Sequence, residues 1–347
     1  MEFGLFSNDR RPTRSLGEAW ALDLREMATA DRLGFDEAWM SEHQASADLL
    51  VARAAGATTR IRLGSAVRIL PIYHPLQVAN DAAACDQLTG GRYMLGAGPG
   101  FLPDKLIQRG IDKAETKART EESLRLILRL MSATEPLDFK GQFWSGKGMS
   151  VEIPFIQTPH PMVALPVASS AASATFAGEL GIRVITPDFM HASRLREFGD
   201  AMEAGRARAG LPRRRNALGA CRVVYVAETD EAARKDMRDD YNAVIKWEIV
   251  NTPWHQTDRI PASGTLEDIT FDYLVDSGNL FIGAPDTVRQ MIEAYFKDTG
   301  GFGSLMLHAG RDYSTPDKLD HSMQLFMRDV VPHVRHLNAD AKGAFDH

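Results

Sequence analysis

The sequence predicts a (β/α)8 barrel, a fold of the α/β class, and three observations lead to it. Short apolar runs of strand length occur eight times along the chain. Longer segments with the apolar spacing of helices separate them, as in parallel strands joined by helical crossovers. The length of 347 residues suits one barrel of this type with insertions. We therefore expect residues 1–347 to form a single domain.

Each predicted strand is a short, mainly apolar run that ends in a polar or glycine-rich loop. In chain order the predicted strands cover residues 2–6, 37–40, 61–67, 92–98, 163–169, 183–187, 221–227 and 304–309. The predicted helices show the 3.6-residue apolar period, and Pro75 suits the first turn of the third of them. They cover residues 22–33, 47–57, 75–88, 119–131, 173–180, 192–209, 231–250 and 285–296.

Two connections are longer than a barrel requires. The first runs from about residue 137 to residue 162. The second lies between the seventh and eighth strands and includes residues 251–280, where Trp254, Phe271 and several acidic residues occur together. Because long loops in compact domains are usually functional, we expect this insertion to be a mobile lid, with a static loop or a dimer contact as the alternatives. We expect residues 335–347 to form a loose tail.

Composition and motifs exclude several classes of function. The formal net charge is −6, so no general basic field attracts nucleic acid. No uncharged stretch is long enough for a membrane span, and the first residues lack a leader pattern. Cys85 and Cys221 are too few for a disulfide framework. We therefore expect a cytoplasmic protein without a nucleic-acid or membrane partner. The motifs H-E-x-x-H, G-x-S-x-G and G-x-x-x-x-G-K-[ST] are absent, and we expect no metal site.

Candidate site residues follow the predicted strands, because active sites of these barrels form at the carboxyl ends of the strands. His43 follows the second strand and can transfer a proton near neutral pH, although a structural, hydrogen-bonded histidine is the alternative. Gly98 lies in a glycine-rich run that lets the backbone approach a flat ligand or form a tight turn. Ser169, Ser170 and Ser173 open a helix, either as ordinary caps or as a phosphate site.

A set of short motifs, in this order and spacing, resembles the bacterial luciferase-like family of flavin-dependent monooxygenases. The motifs are Phe3-Gly4, the segment 34–39 that leads to His43, and the segments 60–67, 74–76, 86–92, 168–170 and 282–285. The run Gly96-Ala97-Gly98-Pro99-Gly100-Phe101-Leu102-Pro103 is most similar to the branch that contains limonene-type monooxygenases. The resemblance covers nearly the whole chain.

The resemblance implies a monooxygenase that binds reduced FMN and activates O2 as a flavin hydroperoxide to oxygenate a small or medium-sized organic substrate. A separate NAD(P)H:flavin reductase would supply the reduced FMN, and the protein would be a homodimer. Among the site residues, it implies His43 as the catalytic histidine and Ser169 and Ser170 as the phosphate contacts. Ala66 and Val67 would lie against the isoalloxazine ring, joined by a non-proline cis peptide bond. A deazaflavin-dependent hydride transfer on the same fold, or a non-catalytic flavin-binding subunit, are the alternatives.

Two positions depart from the luciferase pattern. Gln44 stands where luciferases often have a second histidine, and Pro99 stands where they have an arginine near the flavin phosphate. Lys117 and Arg119 are the candidates to neutralise the phosphate instead. These departures argue against light emission from a long aldehyde.

Overall fold

Eight parallel strands close into a barrel, as the sequence predicts. The computed structural model describes residues 1–8, 10–100, 103–252, 256 and 259–341. The barrel strands are β1 (Glu2–Ser7), β2 (Glu37–Met40), β3 (Arg62–Ile69), β4 (Tyr93–Gly98), β7 (Met162–Pro166), β8 (Arg183–Ile185), β9 (Leu218–Arg222) and β12 (Ser304–Ala309). They follow one another around the barrel in chain order, and β12 pairs with β1 to close it.

Four further strands lie outside the barrel. An antiparallel hairpin of β5 (Leu137–Lys140) and β6 (Ser145–Met149) occupies the first long connection. A parallel pair of β10 (Val224–Val226) and β11 (Phe281–Gly283) lies beside the barrel. The predicted seventh strand, residues 221–227, is therefore wrong, because it joins the end of β9 to all of β10. Both strands are largely buried, and the mainly apolar run of residues 221–227 continues across the break between them.

The helices agree with the predicted crossovers, and several begin earlier. They are α1 (Leu16–Leu33), α2 (Ala47–Ala55), α3 (Pro75–Thr89), α4 (Pro103–Ile107), α5 (Thr116–Ser132), α6 (Ala171–Glu179), α7 (Ala192–Arg208), α8 (Asp230–Asn251), α9 (Phe271–Asp276), α10 (Pro285–Asp298), α11 (Pro316–Leu325) and α12 (Val331–Val334). In α1 the side chains of Ser15 and Glu18 form a reciprocal capping box, which explains a start well before residue 22. Among the described helices, none is both long and apolar enough to cross a bilayer.

Alternate residues of each barrel strand share one face, and on several strands that face fills the interior in layers. At the amino-terminal end, the carboxylate of Glu37 and the guanidinium of Arg183 form two hydrogen bonds of 2.7 and 2.9 Å. A middle layer is apolar and contains Trp39, Ala66, Met94, Ala164, Ile185, Cys221 and Met306. The amino-terminal and middle layers of the barrel, called its lower end below, are therefore packed, and a ligand site has to lie at the carboxyl ends of the strands, the upper end.

A second hydrophobic core holds most of the insertion before β11. Phe271, Leu274 and Val275 of α9 are buried against α8 and β10. Trp254, with the rest of residues 253–255 and 257–258, lies outside the described residues, so the mobile lid stays a prediction. In the expected tail, Arg335 forms an ion pair with Asp36 at 3.0 Å. Residues 342–347 lie outside the described residues.

Candidate functional site

His43 lies just past β2 at the carboxyl end of the barrel, where it is half-buried. Its Nδ1 is 2.6 Å from the backbone carbonyl oxygen of Asn8, which follows β1. Because a carbonyl oxygen only accepts, Nδ1 is the donor and carries a proton. In the neutral ring Nε2 then bears the lone pair. The structure thus places the predicted histidine in a defined tautomer at the predicted end of the barrel.

The surroundings of His43 keep its ring neutral. Loss of hydration lowers the pKa of His43 to about 3, and the positive charges of Arg10, Arg311 and Lys105 contribute to the shift. At neutral pH the imidazole is therefore an acceptor of hydrogen bonds or protons at Nε2 rather than a cationic acid. This is the protonation state that a general base or an orienting group needs.

The predicted flavin-ring residues meet on the wall formed by β3 and β4. The peptide bond between Ala66 and Val67 is cis, which confirms the prediction. A Cβ atom added at Gly98 would lie 2.9 Å from Cγ of Pro166 and 3.6 Å from Cγ1 of Val67. The structure therefore brings Ala66, Val67 and Gly98 together, and it requires glycine at position 98 because any side chain would displace Pro166.

The predicted phosphate serines occur at the start of α6. Ser169 is exposed, while Ser170 and Ser173 are half-buried. Ser170 is the N-cap residue of α6, but its side chain makes no capping hydrogen bond. Its hydroxyl is thus available to a ligand at a helix end whose dipole favours an anion.

A cation that the sequence analysis missed lies beside these serines. Nη2 of Arg194, on α7, donates to the carbonyl oxygen of Ser169 at 2.6 Å. Arg194 also forms an ion pair with Glu197 at 3.0 Å, as the cations suggested from sequence do near the start of their own helix, Lys117 with Glu121 at 3.8 Å and Arg119 with Glu115 at 3.0 Å. Arg194 had no sequence signal, since an arginine in the first turn of a helix is ordinary.

Arg68 is turned out of the barrel by an irregularity in β3. The pairing register between β3 and β4 shifts between Ala66 and Arg68, as in a β-bulge. The guanidinium of Arg68 then lies 2.7 Å from Asp81 and 3.7 Å above the ring of Tyr73. The hydroxyl of Tyr73 donates to Glu42, the neighbour of His43, at 2.8 Å.

His74, which the sequence left open between the pocket rim and a cap, forms a cap. Its Nδ1 accepts from the backbone N–H of Leu76 at 3.2 Å, at the start of α3. The bond satisfies one of the unpaired N–H groups of the first turn. His74 therefore has a structural task that explains its position.

Sequence reasoning also missed a buried ionic network at the rim of the barrel. Asp188, just past β8, lies 2.5 Å from Arg259 of the insertion. Glu248 of α8 lies 2.7 Å from Arg311, just past β12, and 3.7 Å from Arg259. Burial alone would raise the pKa of Asp188, but the positive charges of Arg259 and Arg311 hold the pKa of this carboxyl well below its usual range. Asp188 and Arg311 could have been selected from the sequence because each follows a barrel strand. Arg259 lies in a long connection and has no local sequence signal.

The site residues fit a flavin mononucleotide. Asn8 Oδ1 is enclosed and has no hydrogen-bond partner among the described residues, as expected of a polar atom that faces a ligand. The small wall at Ala66 and Gly98 suits a flat ring, and Ser170 with Arg194 suits a phosphate. In the part of the chain that the structure describes, no three His, Cys, Asp or Glu side chains converge as metal ligands.

Comparisons with known proteins agree with this geometry. The profile of a family described as luciferase-like monooxygenase matches residues 1–301. The chain is 31% identical to 4-hydroxyprotoasukamycin monooxygenase of Streptomyces nodosus subsp. asukaensis, over 96% of this chain and 92% of that protein. It is 30% identical to limonene 1,2-monooxygenase of Rhodococcus erythropolis, over 90% of this chain and 80% of that protein.

A solved structure extends the likeness to the fold. It is the oxygenating constituent of 3,6-diketocamphane monooxygenase from Pseudomonas putida, a type II Baeyer-Villiger monooxygenase in complex with FMN. The two structures superpose with a TM-score of 0.82 at 25% identity, over 96% of this chain and 98% of the other. Sequence and structure thus lead to the same group of proteins.

Proposed function

The chain belongs to the luciferase-like monooxygenase family, and from that premise we propose that it is a flavin-dependent monooxygenase. It would use reduced FMN and O2 to oxygenate a small or medium-sized organic substrate. The observation that carries the proposal is the neutral His43, held by the Asn8 carbonyl at the carboxyl end of the barrel, just past the strand that pairs with β3 and its Ala66–Val67 cis peptide. A solved relative of the same fold with FMN bound supports the choice of cofactor.

The cofactor would be held at two places. Ser169, Ser170 and Ser173, with the amino end of α6 and the guanidinium of Arg194, would bind the phosphate. The wall formed by Ala66, Val67 and Gly98 would lie against the ring. When bound, reduced FMN supplies the two electrons with which one atom of O2 enters the substrate and the other leaves as water.

His43 would accept a proton or a hydrogen bond at its Nε2 atom. In a neutral ring with Nδ1 fixed as the donor to Asn8, the lone pair lies on Nε2, which would accept a proton or hydrogen bond in the reaction. His43 is half-buried, and its partial loss of hydration strengthens a hydrogen bond formed there. His43 is therefore the proposed catalytic residue.

We also propose the partners that the family resemblance implies. A separate NAD(P)H:flavin reductase would deliver reduced FMN by diffusion or in a transient contact. The protein would act as a homodimer in the cytoplasm, where two buried free cysteines are compatible with a reducing environment.

Oxygen-isotope labelling tests the proposal. The protein is mixed with FMN, NADH and a general flavin reductase under ¹⁸O2, with limonene and 3,6-diketocamphane as the first substrate probes. We expect substrate-dependent O2 uptake and one ¹⁸O atom in the product by mass spectrometry. Catalase and a reaction without the protein control for peroxide released by free reduced flavin.

Two other outcomes would contradict the proposal and favour one of the two alternative functions. Tight binding of a deazaflavin, with anaerobic hydride transfer and no ¹⁸O incorporation, would identify the deazaflavin-dependent alternative. Binding of FMN without oxygenation of a broad panel of cyclic ketones and olefins would favour a flavin-binding subunit without its own catalysis.

A further inference from the structure

Two histidines contact opposite parts of one asparagine at the barrel mouth. The backbone carbonyl oxygen of Asn8 accepts from Nδ1 of His43 at 2.6 Å. The side-chain amide of the same residue lies 3.0 Å from Nε2 of His308, the fifth residue of β12. His308 Nδ1 is in turn 2.6 Å from the hydroxyl of Tyr313. The contacts form a chain from Tyr313 through His308 and Asn8 to His43.

The register of the strands explains how residues so far apart in sequence meet. Strand β1 lies between β2 and β12, and Phe6 pairs with His308 while Ser7 pairs with Met40. Ser304, Met306 and His308 alternate on the interior face of β12, and Ser304 and Met306 fill the lower layers. His308 therefore continues that face into the barrel mouth, where Asn8 extends β1.

Asn8 is tied to β12 at two points. Its backbone N–H donates to the carbonyl oxygen of Ala309 at 3.0 Å, and its side chain is bonded to His308. Either orientation of the amide gives a hydrogen bond to Nε2 of His308, because an imidazole nitrogen can donate or accept. These two attachments set the direction of the Asn8 carbonyl, which lies just past the last residue of the strand.

We propose that Asn8 and His308 are positioning residues that hold His43 in the tautomer with the proton on Nδ1. The direct bond to His43 comes from a backbone atom, so no substitution of residue 8 can remove the carbonyl itself. A substitution can, however, change the orientation of the Asn8 carbonyl, because that orientation depends on the contact between Asn8 and His308. The inference concerns the proton on His43 and does not rest on the identity of the cofactor.

Burial favours neutral rings for both histidines rather than charged ones. His308 is buried, and loss of hydration lowers its pKa despite the opposing effect of the Asp188 carboxylate, whose Oδ2 lies 3.6 Å from Nδ1. Two neutral imidazoles can contact the backbone carbonyl and the side-chain amide of one asparagine without charge repulsion. The tautomer of each is then decided by its hydrogen bonds.

The test is nitrogen NMR of protein labelled with ¹⁵N-histidine, without any cofactor. The His43 signals are assigned by their loss in His43→Gln. In the unaltered protein we expect a protonated-type shift for Nδ1 and an unprotonated-type shift for Nε2. In His308→Leu, which cannot bond to Asn8, both shifts should move towards their average as the two tautomers mix.

Rescue and control variants separate positioning from general damage. His308→Gln keeps a side chain able to bond to Asn8 and should restore most of the original pattern. Asn8→Ala should reproduce His308→Leu, and the double variant should add nothing to either, because both break the same link. His321→Gln changes an exposed histidine paired with Glu228 and should leave the His43 signals unchanged.

The activity assay gives a second readout once a substrate is known. His308→Leu should lower kcat about tenfold with the KM for FMN unchanged, since a positioning residue affects the reacting group rather than flavin binding. Unchanged His43 shifts in a folded His308→Leu protein, judged by circular dichroism, would overturn the inference. If that variant does not fold, unchanged shifts in Asn8→Ala would overturn it equally.

Discussion

The two ends of the barrel each bury ion pairs, but they are built from different parts of the chain. At the amino-terminal end, Glu37 and Arg183 belong to β2 and β8, and their bidentate contact is closed by Ser304 of β12. All three residues are part of the sheet itself. Their positions are therefore set as soon as the strands pair.

At the opposite end, the charged residues come from loops and from the insertion. Asp188 and Arg311 follow strands, whereas Glu248 and Arg259 come from α8 and from the segment after it. This network exists only when the insertion packs against the barrel. The comparison teaches that the lower end of the barrel stabilises the fold, while the upper end joins the loops that form the site.

The largest expected effect is at the lower end. Glu37→Ala leaves the Arg183 guanidinium buried without its carboxylate, and the free energy of unfolding should fall by about 3–5 kcal/mol. Urea denaturation followed by circular dichroism measures it. Glu293→Ala, which removes a half-buried carboxylate 2.9 Å from Arg289 on the outer helix α10, is the control and should cost less than about 1 kcal/mol. Equal losses in the two variants would contradict the stabilising role.

An intermediate effect, on chemistry rather than stability, is expected at the upper end. His43→Ala should lower the turnover number at least about 100-fold, because a proton acceptor next to the reacting atoms is removed. The measurement is substrate-dependent O2 uptake at saturating reduced FMN. The unfolding midpoint should stay near that of the unaltered protein. Turnover within a factor of two of the original would remove His43 from the catalytic role.

The smallest of the three effects concerns the flavin phosphate. Ser170→Asp keeps a good N-cap residue for α6 but adds a negative charge where the phosphate would bind. We expect about tenfold weaker binding of FMN from charge repulsion near the protein surface, measured by anaerobic titration of the reduced form. Ser170→Asn has a similar shape without the charge and should bind nearly as the unaltered protein. Equal affinity of the two variants would move the phosphate site elsewhere.

Much of the fold could be predicted from the sequence because its signals are local. The alternation of apolar strands with 3.6-residue periodicity led to eight parallel strands, and the observed barrel confirms them. The misassigned strand, at residues 221–227, failed where two largely buried strands follow each other with only Val223 between them. Periodicity reports that a residue is buried, but it does not report which sheet the residue joins.

The candidate site also contains residues that the sequence predicted and residues that it missed. The rule that barrel chemistry lies past the strand ends selected His43 and the serines, and the family resemblance gave the cis peptide between Ala66 and Val67. Asn8, His308 and Arg194 were missed. Their contacts join residues that are distant in sequence, and neither an asparagine after a strand nor a histidine within one is unusual by itself.

The sequence by itself determined the order of the barrel strands and their helices, the packed apolar interior and the end of the barrel where the candidate site residues lie. These follow from short-range patterns of burial, which each segment carries independently. Only the tertiary structure decided the proton on His43 and the pairing of Asp188 with Arg259, because each depends on the closure of β12 against β1 or on the docking of the insertion. Hydrogen bonds and ion pairs act over a few ångströms, and the residues that make them become neighbours only when the whole barrel has formed.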